Sequence, residues 1–290
     1  MNNCSLIKNS MDSRIGFMQG RLSNIVDNKI QAFPWESWAE EFRIASNNSI
    51  FLMEWTIDYQ DLYKNPIMTS KGREKINKFC KEFKIEIPSL TGDCFMQKPF
   101  WKETNKSIIK NLFRDFIEIC RAASLVGIKC IVVPLVDNGS IDNKIQEETL
   151  IAFLKENENI FIDLDISIIF ESDKNPGDLL KFIEKLKPDL FGINYDIGNS
   201  ASLGFDPELE LNSYGNRVYN VHIKDRILKG TTVPLGEGNA DFKKVFQNLI
   251  KINYDGNYIL QTARAKDNDH IGLIKKYRKK VIDIFYELSF

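Results

Sequence analysis

Eight short, continuously apolar runs separated by longer charged stretches constrain this chain more than any other feature. They are Arg14–Gln19, Ile50–Trp55, Ile85–Leu90, Lys129–Leu135, Ile166–Glu171, Leu190–Asp196, Val218–Lys224 and Tyr258–Thr262. Unbroken runs rich in Ile and Val suit strands buried on both faces, the pattern of a parallel sheet. The stretches between them read as helices. Trp38, Phe42 and Ala45 share a stripe in 38–46, and Leu112, Phe116, Ile119, Cys120 and Ala123 do so in 108–125. Residues 243–252 and 271–288 follow the same rule. Asp206-Pro207 supplies an N-cap followed by proline at the first helical position, and Asp241 can cap the helix after it.

Eight strand–helix units of roughly 30 residues, with no Pro/Gly-rich linker, predict a closed (β/α)8 barrel. The expected organisation is an N-terminal tail, residues 1–12, and one barrel domain, residues 13–290, within the 290-residue chain. The competing open sheet needs a glycine-rich nucleotide loop. Neither GxGxxG nor GxxxxGK[ST] occurs, which argues against a dehydrogenase or kinase. Lys plus Arg is 39 and Asp plus Glu is 40, so bulk charge gives no footprint for nucleic acid. The five cysteines have no metal-finger spacing, and Cys80, Cys120 and Cys130 sit in apolar stretches, which predicts reduced thiols. Residues 1–13, Cys4 among them, lack a signal-peptide core, and no run reaches the ~20 apolar residues of a membrane helix. A cytoplasmic protein with no membrane partner is expected.

In such a barrel the working groups sit where strands end and the next loops begin. The strand ends offer Gln19 and Arg21, Glu54, Glu171, Asp196, then His222, Lys224 and Asp225, then Gln261 and Arg264. Strands five to eight are neighbours in the ring, so Glu171, Asp196, His222 and Gln261 can converge. Carboxylates, an imidazole and an amide oxygen suit Mn2+, Mg2+, Co2+ or Zn2+. His222 is one of two histidines; His270, in a polar stretch, reads as a surface residue.

Three motifs then follow in order: Tyr195-Asp196-Ile197-Gly198-Asn199, Val221-His222-Ile223-Lys224-Asp225-Arg226 and Pro234-Leu235-Gly236-Glu237-Gly238. Together they resemble the sugar phosphate isomerase/epimerase family, whose fold is the xylose isomerase-like TIM barrel. The resemblance implies an isomerase or epimerase acting on a small sugar or sugar phosphate through an enediolate, with Mn2+ the first expectation for the metal. It also implies metal ligands at Glu171, Asp196, His222 and the position of Gln261, and acid–base roles for the strand-five and strand-eight glutamates.

The chain departs from that pattern at Gln261, where the family has Glu. An amide oxygen can ligate a metal but carries no charge and cannot serve as a base near neutral pH. Glu171 therefore carries the proton work alone, or another group supplies the second base. Glu237 and Glu54 are the candidates, and Lys224 joins Glu171 and Glu237 as a catalytic expectation. Gln19, Arg21, Glu54, Asn199, Arg226 and Arg264 are expected to bind substrate. The cations among them, with Lys224, suit a phosphate or carboxylate as well as structural salt bridges. Trp35, Trp38 and Trp55 are core or pocket-wall residues.

Three alternatives stand beside this reading. One is an enolising dehydratase on a related polyol or ketose. A second is a catalytically reduced sugar-binding barrel. The third, a multi-zinc repair nuclease, needs more histidines than this chain has. Barrels of this kind often dimerise, so a homodimer is a candidate assembly.

Overall fold

The computed structural model describes residues 11–288. The expected tail therefore falls almost wholly outside the described residues, as does Cys4. Eight parallel strands form the barrel: β1 (Ile15–Met18), β2 (Met53–Thr56), β3 (Ser89–Thr91), β4 (Cys130–Leu135), β5 (Ser167–Ser172), β6 (Phe191–Asp196), β7 (Val218–Ile223) and β8 (Asn257–Leu260). The ring closes where β1 pairs with β8, Ile15 opposite Tyr258 and Phe17 opposite Leu260. It is a single (β/α)8 barrel, as the alternation of apolar runs and helices predicts.

Helices cover the outside of the ring and bury their apolar stripes against it. In the helix Lys106–Ser124, Leu112, Phe116, Ile119, Cys120 and Ala123 are buried, and Asn105 caps its first turn by accepting from the Ser107 and Ile108 N–H groups. Asp206 and Asp241 cap Pro207–Tyr214 and Phe242–Lys251 as expected. Phe246 stacks on Phe285 at 4.4 Å between centroids, locking the last two long helices onto β8 through Tyr258. No helix among the described residues is long and apolar enough to cross a membrane.

Inside the ring the two-residue period of the strands puts polar side chains in layers. Ser89 and Thr91, Asn194 and Asp196, and Asn220 and His222 are each two apart and buried. A bulge between Ile193 and Asn194 resets the register so that Asn194 faces Asn220 and Asp196 faces His222. After β7 the chain runs into a short antiparallel ribbon, Asp225–Arg226 with Thr232–Val233. Asp225 fixes the loop that follows it by accepting from the Gly236, Gly238 and Ala240 N–H groups.

Two expectations are corrected. The third strand is Ser89–Thr91 rather than 85–90, because Pro88 has no N–H to give and the ladder to β4 begins only after it. His270 is buried at the start of the last helix, with neither ring nitrogen hydrogen-bonded, rather than at the surface. Cys80, Cys94, Cys120 and Cys130 are free thiols. Trp55 is fully buried in the core, whereas Trp35 lines a surface hollow with Phe33 and Asp58.

Candidate active site and metal centre

Glu171 ends β5, Asp196 ends β6 and His222 lies in β7, and the barrel brings these three together. One ligand atom of each lies within 4.8 Å of the other two, and all three residues are buried. His222 Nδ1 is 3.2 Å from Glu171 Oε2 and 3.9 Å from Asp196 Oδ2. Two asparagines hold the first carboxylate. Asn194 Nδ2 donates to Glu171 Oε2 at 3.1 Å, and Asn199 Nδ2 donates to Oε1. Asn199 is positioned in turn by Asp196 Oδ1, which accepts its backbone N–H at 2.8 Å, and by Arg226 Nη1, which donates to its side-chain oxygen at 2.8 Å.

The far side of the imidazole meets Glu54. His222 Nε2 lies 2.7 Å from Glu54 Oε1, and both side chains are fully buried. Ser89, Thr91 and Asn220 also donate to the Glu54 carboxylate, at 2.6, 2.6 and 2.9 Å. Glu54 is thus committed to the barrel interior and does not line the cavity at the mouth, where substrate binding had been expected of it. Its place is that of an orienting carboxylate. A proton held on Nε2 by Glu54 would leave Nδ1, which faces Asn194 Nδ2 at 3.0 Å as well as Glu171 and Asp196, as the nitrogen able to bind a metal.

Burial alone would lower the imidazole pKa, but Glu54 and Glu171 overcome it and hold His222 up to about 10. Burial would raise Glu171, yet Lys224, His222 and Asn194 keep it below the usual carboxylate range. Asp196 goes the other way: burial and the neighbouring Glu171 raise it against Lys224. The donor set fits a divalent cation: carboxylate oxygens and an imidazole nitrogen converge within 4.8 Å in a buried cluster.

Lys224 stands beside this group. Its Nζ is 2.6 Å from Asp196 Oδ2 and donates to Gln261 Oε1 at 2.9 Å. The Gln261 carbonyl, expected to be a fourth ligand, is therefore engaged by the ammonium. Its Nε2 donates to Gln31 Oε1 at 3.0 Å, and Gln31 Nε2 donates to Asp93 Oδ2 at 2.6 Å. Among the expected residues, Glu171, Asn199, Lys224, Arg226 and Gln261 line one cavity of about 640 Å³ at the barrel mouth. Its cations Lys29, Lys224 and Arg226 are matched by Asp93, Asp137 and Glu171.

The other expected residues are placed elsewhere. Gln19 is fully buried, its carbonyl accepting from the Thr56 N–H. Arg21 donates to the carbonyls of Thr262 and Ile30, and Arg264 to those of Gly20 and Ser23, so both guanidiniums tie loops together. Glu237 is exposed, in a separate surface hollow with Pro234 and Tyr277, and is not brought to the triad. The sequence reading missed Asn194, Asn220, Gln31 and Asp93. The two asparagines were visible as polar breaks inside apolar runs. Asp93 becomes visible once the third strand is moved to its true end, and Gln31 carries no signal at all.

The xylose isomerase-like TIM barrel family profile matches residues 50–280. Inosose dehydratase of Clostridium tetani is 25% identical over 252 residues, covering 71% of this chain and 84% of that protein. L-ribulose-5-phosphate 3-epimerase UlaE of Salmonella paratyphi A is 25% identical over 240 residues, covering 78% and 82%. Among solved structures, the IOLI protein with a bound zinc atom superposes with a TM-score of 0.74 at 13% identity, covering 95% of this chain and 99% of that one. The profile covers most of the chain and the fold agrees with it: the chain belongs to the xylose isomerase-like TIM barrel family.

Proposed function

We propose that this protein is a divalent-metal-dependent isomerase- or epimerase-type enzyme that moves a proton next to the carbonyl of a small sugar. The observation that carries the reading is the convergence of Glu171, Asp196 and His222 beside a polar cavity at the barrel mouth. The likeness to an epimerase and to a dehydratase supports the same chemistry, since both activities pass through loss of a proton beside a carbonyl.

Glu171, Asp196 and His222 would hold the cation; Mn2+ is the first choice, with Mg2+, Co2+ and Zn2+ as alternatives for such a mixed donor set. When bound, it would polarise a carbonyl and stabilise the negative charge that develops as the C–H bond breaks. Glu171 is the base that takes the proton. Asn194 and Asn199 fix its carboxylate in one orientation, so little reorganisation is needed when the proton moves. Lys224 holds Asp196 in place and, from the cavity wall, offers a donor to substrate oxygen. The amides of Gln31, Gln97 and Gln261 supply both donors and acceptors to sugar hydroxyls. With Arg21 and Arg264 bound to backbone carbonyls, Lys29, Lys224 and Arg226 are the lining cations left to meet a phosphate.

The reading is tested by incubating the Mn2+-loaded protein with ketoses in deuterated water. Deuterium is expected at the carbon beside the carbonyl, and Glu171→Gln is expected to reduce that rate by about 100-fold or more, the usual worth of a positioned base. Exchange at the wild-type rate in Glu171→Gln would remove Glu171 from the role.

A further inference from the structure

The amide at position 261 leaves the strand-eight side of the site without a carboxylate, but the hydrogen bonds that leave Gln261 lead to one. Lys224 Nζ donates to Gln261 Oε1, Gln261 Nε2 to Gln31 Oε1, and Gln31 Nε2 to Asp93 Oδ2, at 2.9, 3.0 and 2.6 Å. Asp93 follows β3, two strands from β5 with β4 between them, and lines the same cavity as Glu171. Its Oδ2 is engaged by Gln31, which leaves Oδ1 without a hydrogen bond from the described residues. Among the described residues no cation forms a salt bridge with it, unlike Asp196 with Lys224. The structure thus holds a carboxyl with one free oxygen in the cavity, aimed by an amide chain that starts at Lys224.

We propose that Asp93 is the second proton-transferring residue of this enzyme, working with Glu171 in place of a strand-eight carboxylate. The proposal rests on the enolisation reading above. Glu171 takes the proton from carbon, and the C–H electron pair moves into the enediolate. The Asp93 carboxylic acid then gives its proton to that intermediate. If the proton goes to the same carbon on its opposite face, the enediolate electron pair forms the new C–H bond, the carbonyl re-forms and the product is the epimer. If it goes to a hydroxyl oxygen on the neighbouring carbon, the C–O bond breaks, water leaves, and a carbon–carbon double bond remains conjugated with the carbonyl. In both cases Asp93 is left as carboxylate and recovers its proton from solvent, while Glu171 releases the proton it took. Burial, with Asp58 and Glu171 nearby, outweighs Gln31 and Arg21 and pushes the Asp93 carboxyl up to about 7, so both acid and base forms are present near neutral pH. Gln31 and Gln261 act as positioning residues for it.

The experiment uses full-length Mn2+-loaded protein with L-ribulose 5-phosphate and an inosose as probes. It follows deuterium exchange beside the carbonyl and product formation separately, in wild type, Asp93→Asn and Asp93→Ala. Asp93→Asn is expected to keep Mn2+ affinity and exchange within about threefold of wild type and to lose about 100-fold or more in product formation. Added formate is expected to restore product formation in Asp93→Ala, which separates a missing proton donor from a misfolded site. Wild-type product formation by Asp93→Asn would overturn the inference and leave the enolisation reading standing. So would loss of exchange together with product, or no rescue by formate. Absence of exchange by the wild type on both probes would overturn the enolisation reading and this inference with it.

Discussion

Glu54 shows how much a single buried carboxylate can decide. It meets four donors inside the barrel, and one of them is the ring nitrogen opposite the proposed metal-binding Nδ1 of His222. A glutamine there has the same shape but must present an NH2 group at one of the two oxygen positions, Oε1 facing Thr91 and His222 or Oε2 facing Ser89 and Asn220. With the NH2 at Oε1, the remaining carbonyl still serves Ser89 and Asn220, and the Thr91 hydroxyl can rotate to accept. The imidazole then switches too, moving its proton to Nδ1 and closing that nitrogen to a metal. Glu54→Gln is therefore expected to weaken Mn2+ binding by about 10- to 100-fold, in the range of outer-shell substitutions at metal histidines, while the protein remains folded. Calorimetric titration with Mn2+ checks this; wild-type affinity would mean that Glu54 does not set the tautomer. The role was not legible in the sequence. Polarity at a strand end marked Glu54 as important, but a one-residue change of register sends a strand side chain to the opposite face.

At the scale of elements, the late strands were legible and β3 was not. β5, β6 and β7 are six-residue strands whose apolar runs end in the polar groups that make the site, so pattern and position agreed. β3 pairs with β4 through three residues only, after Pro88, and its preceding apolar run reaches the ladder only through a single parallel bridge, Glu86 beside Leu52. That shift hid Asp93. The helix Ile197–Leu203 shows a further coupling between an element and the site. Gly198 passes so close to Lys224 that an added Cβ would lie 2.7 Å from its Cγ. Neither the helix, capped by Asp196, nor the lysine, held by Asp196 and Gln261, can yield without disturbing the other. Gly198→Ala is expected to cost about 1–3 kcal/mol, the usual range for overpacking a tight contact. Denaturant unfolding measures it, and an unchanged midpoint would show that the lysine moves aside freely.

The whole molecule was the most legible scale. Eight apolar runs with helical stretches between them call for a parallel sheet buried on both faces, and the lack of a glycine-rich nucleotide loop favours the closed barrel over the open sheet. The order of the three motifs added the family, and the barrel's geometry then gathers Glu171, Asp196 and His222 from strands that are neighbours in the ring. What the pattern left open was the division of labour among strand-end residues. Arg21 and Arg264 had the charge for a substrate clamp, yet the loops they join claim them first. Gln261 had the position of a ligand, yet its carbonyl faces an ammonium. Such choices depend on side-chain partners far apart in sequence, and strand-end position alone does not encode them.

All of these roles depend on the three converging side chains acting as a cation site, which equilibrium Mn2+ binding to the wild type, Asp196→Asn and His222→Gln tests most directly. The expected result is one site per chain in the wild type, weakened by about 100-fold or more in each variant, with the fold retained by circular dichroism. A wild type that binds no divalent cation, or variants that bind it as tightly as the wild type, would contradict the account.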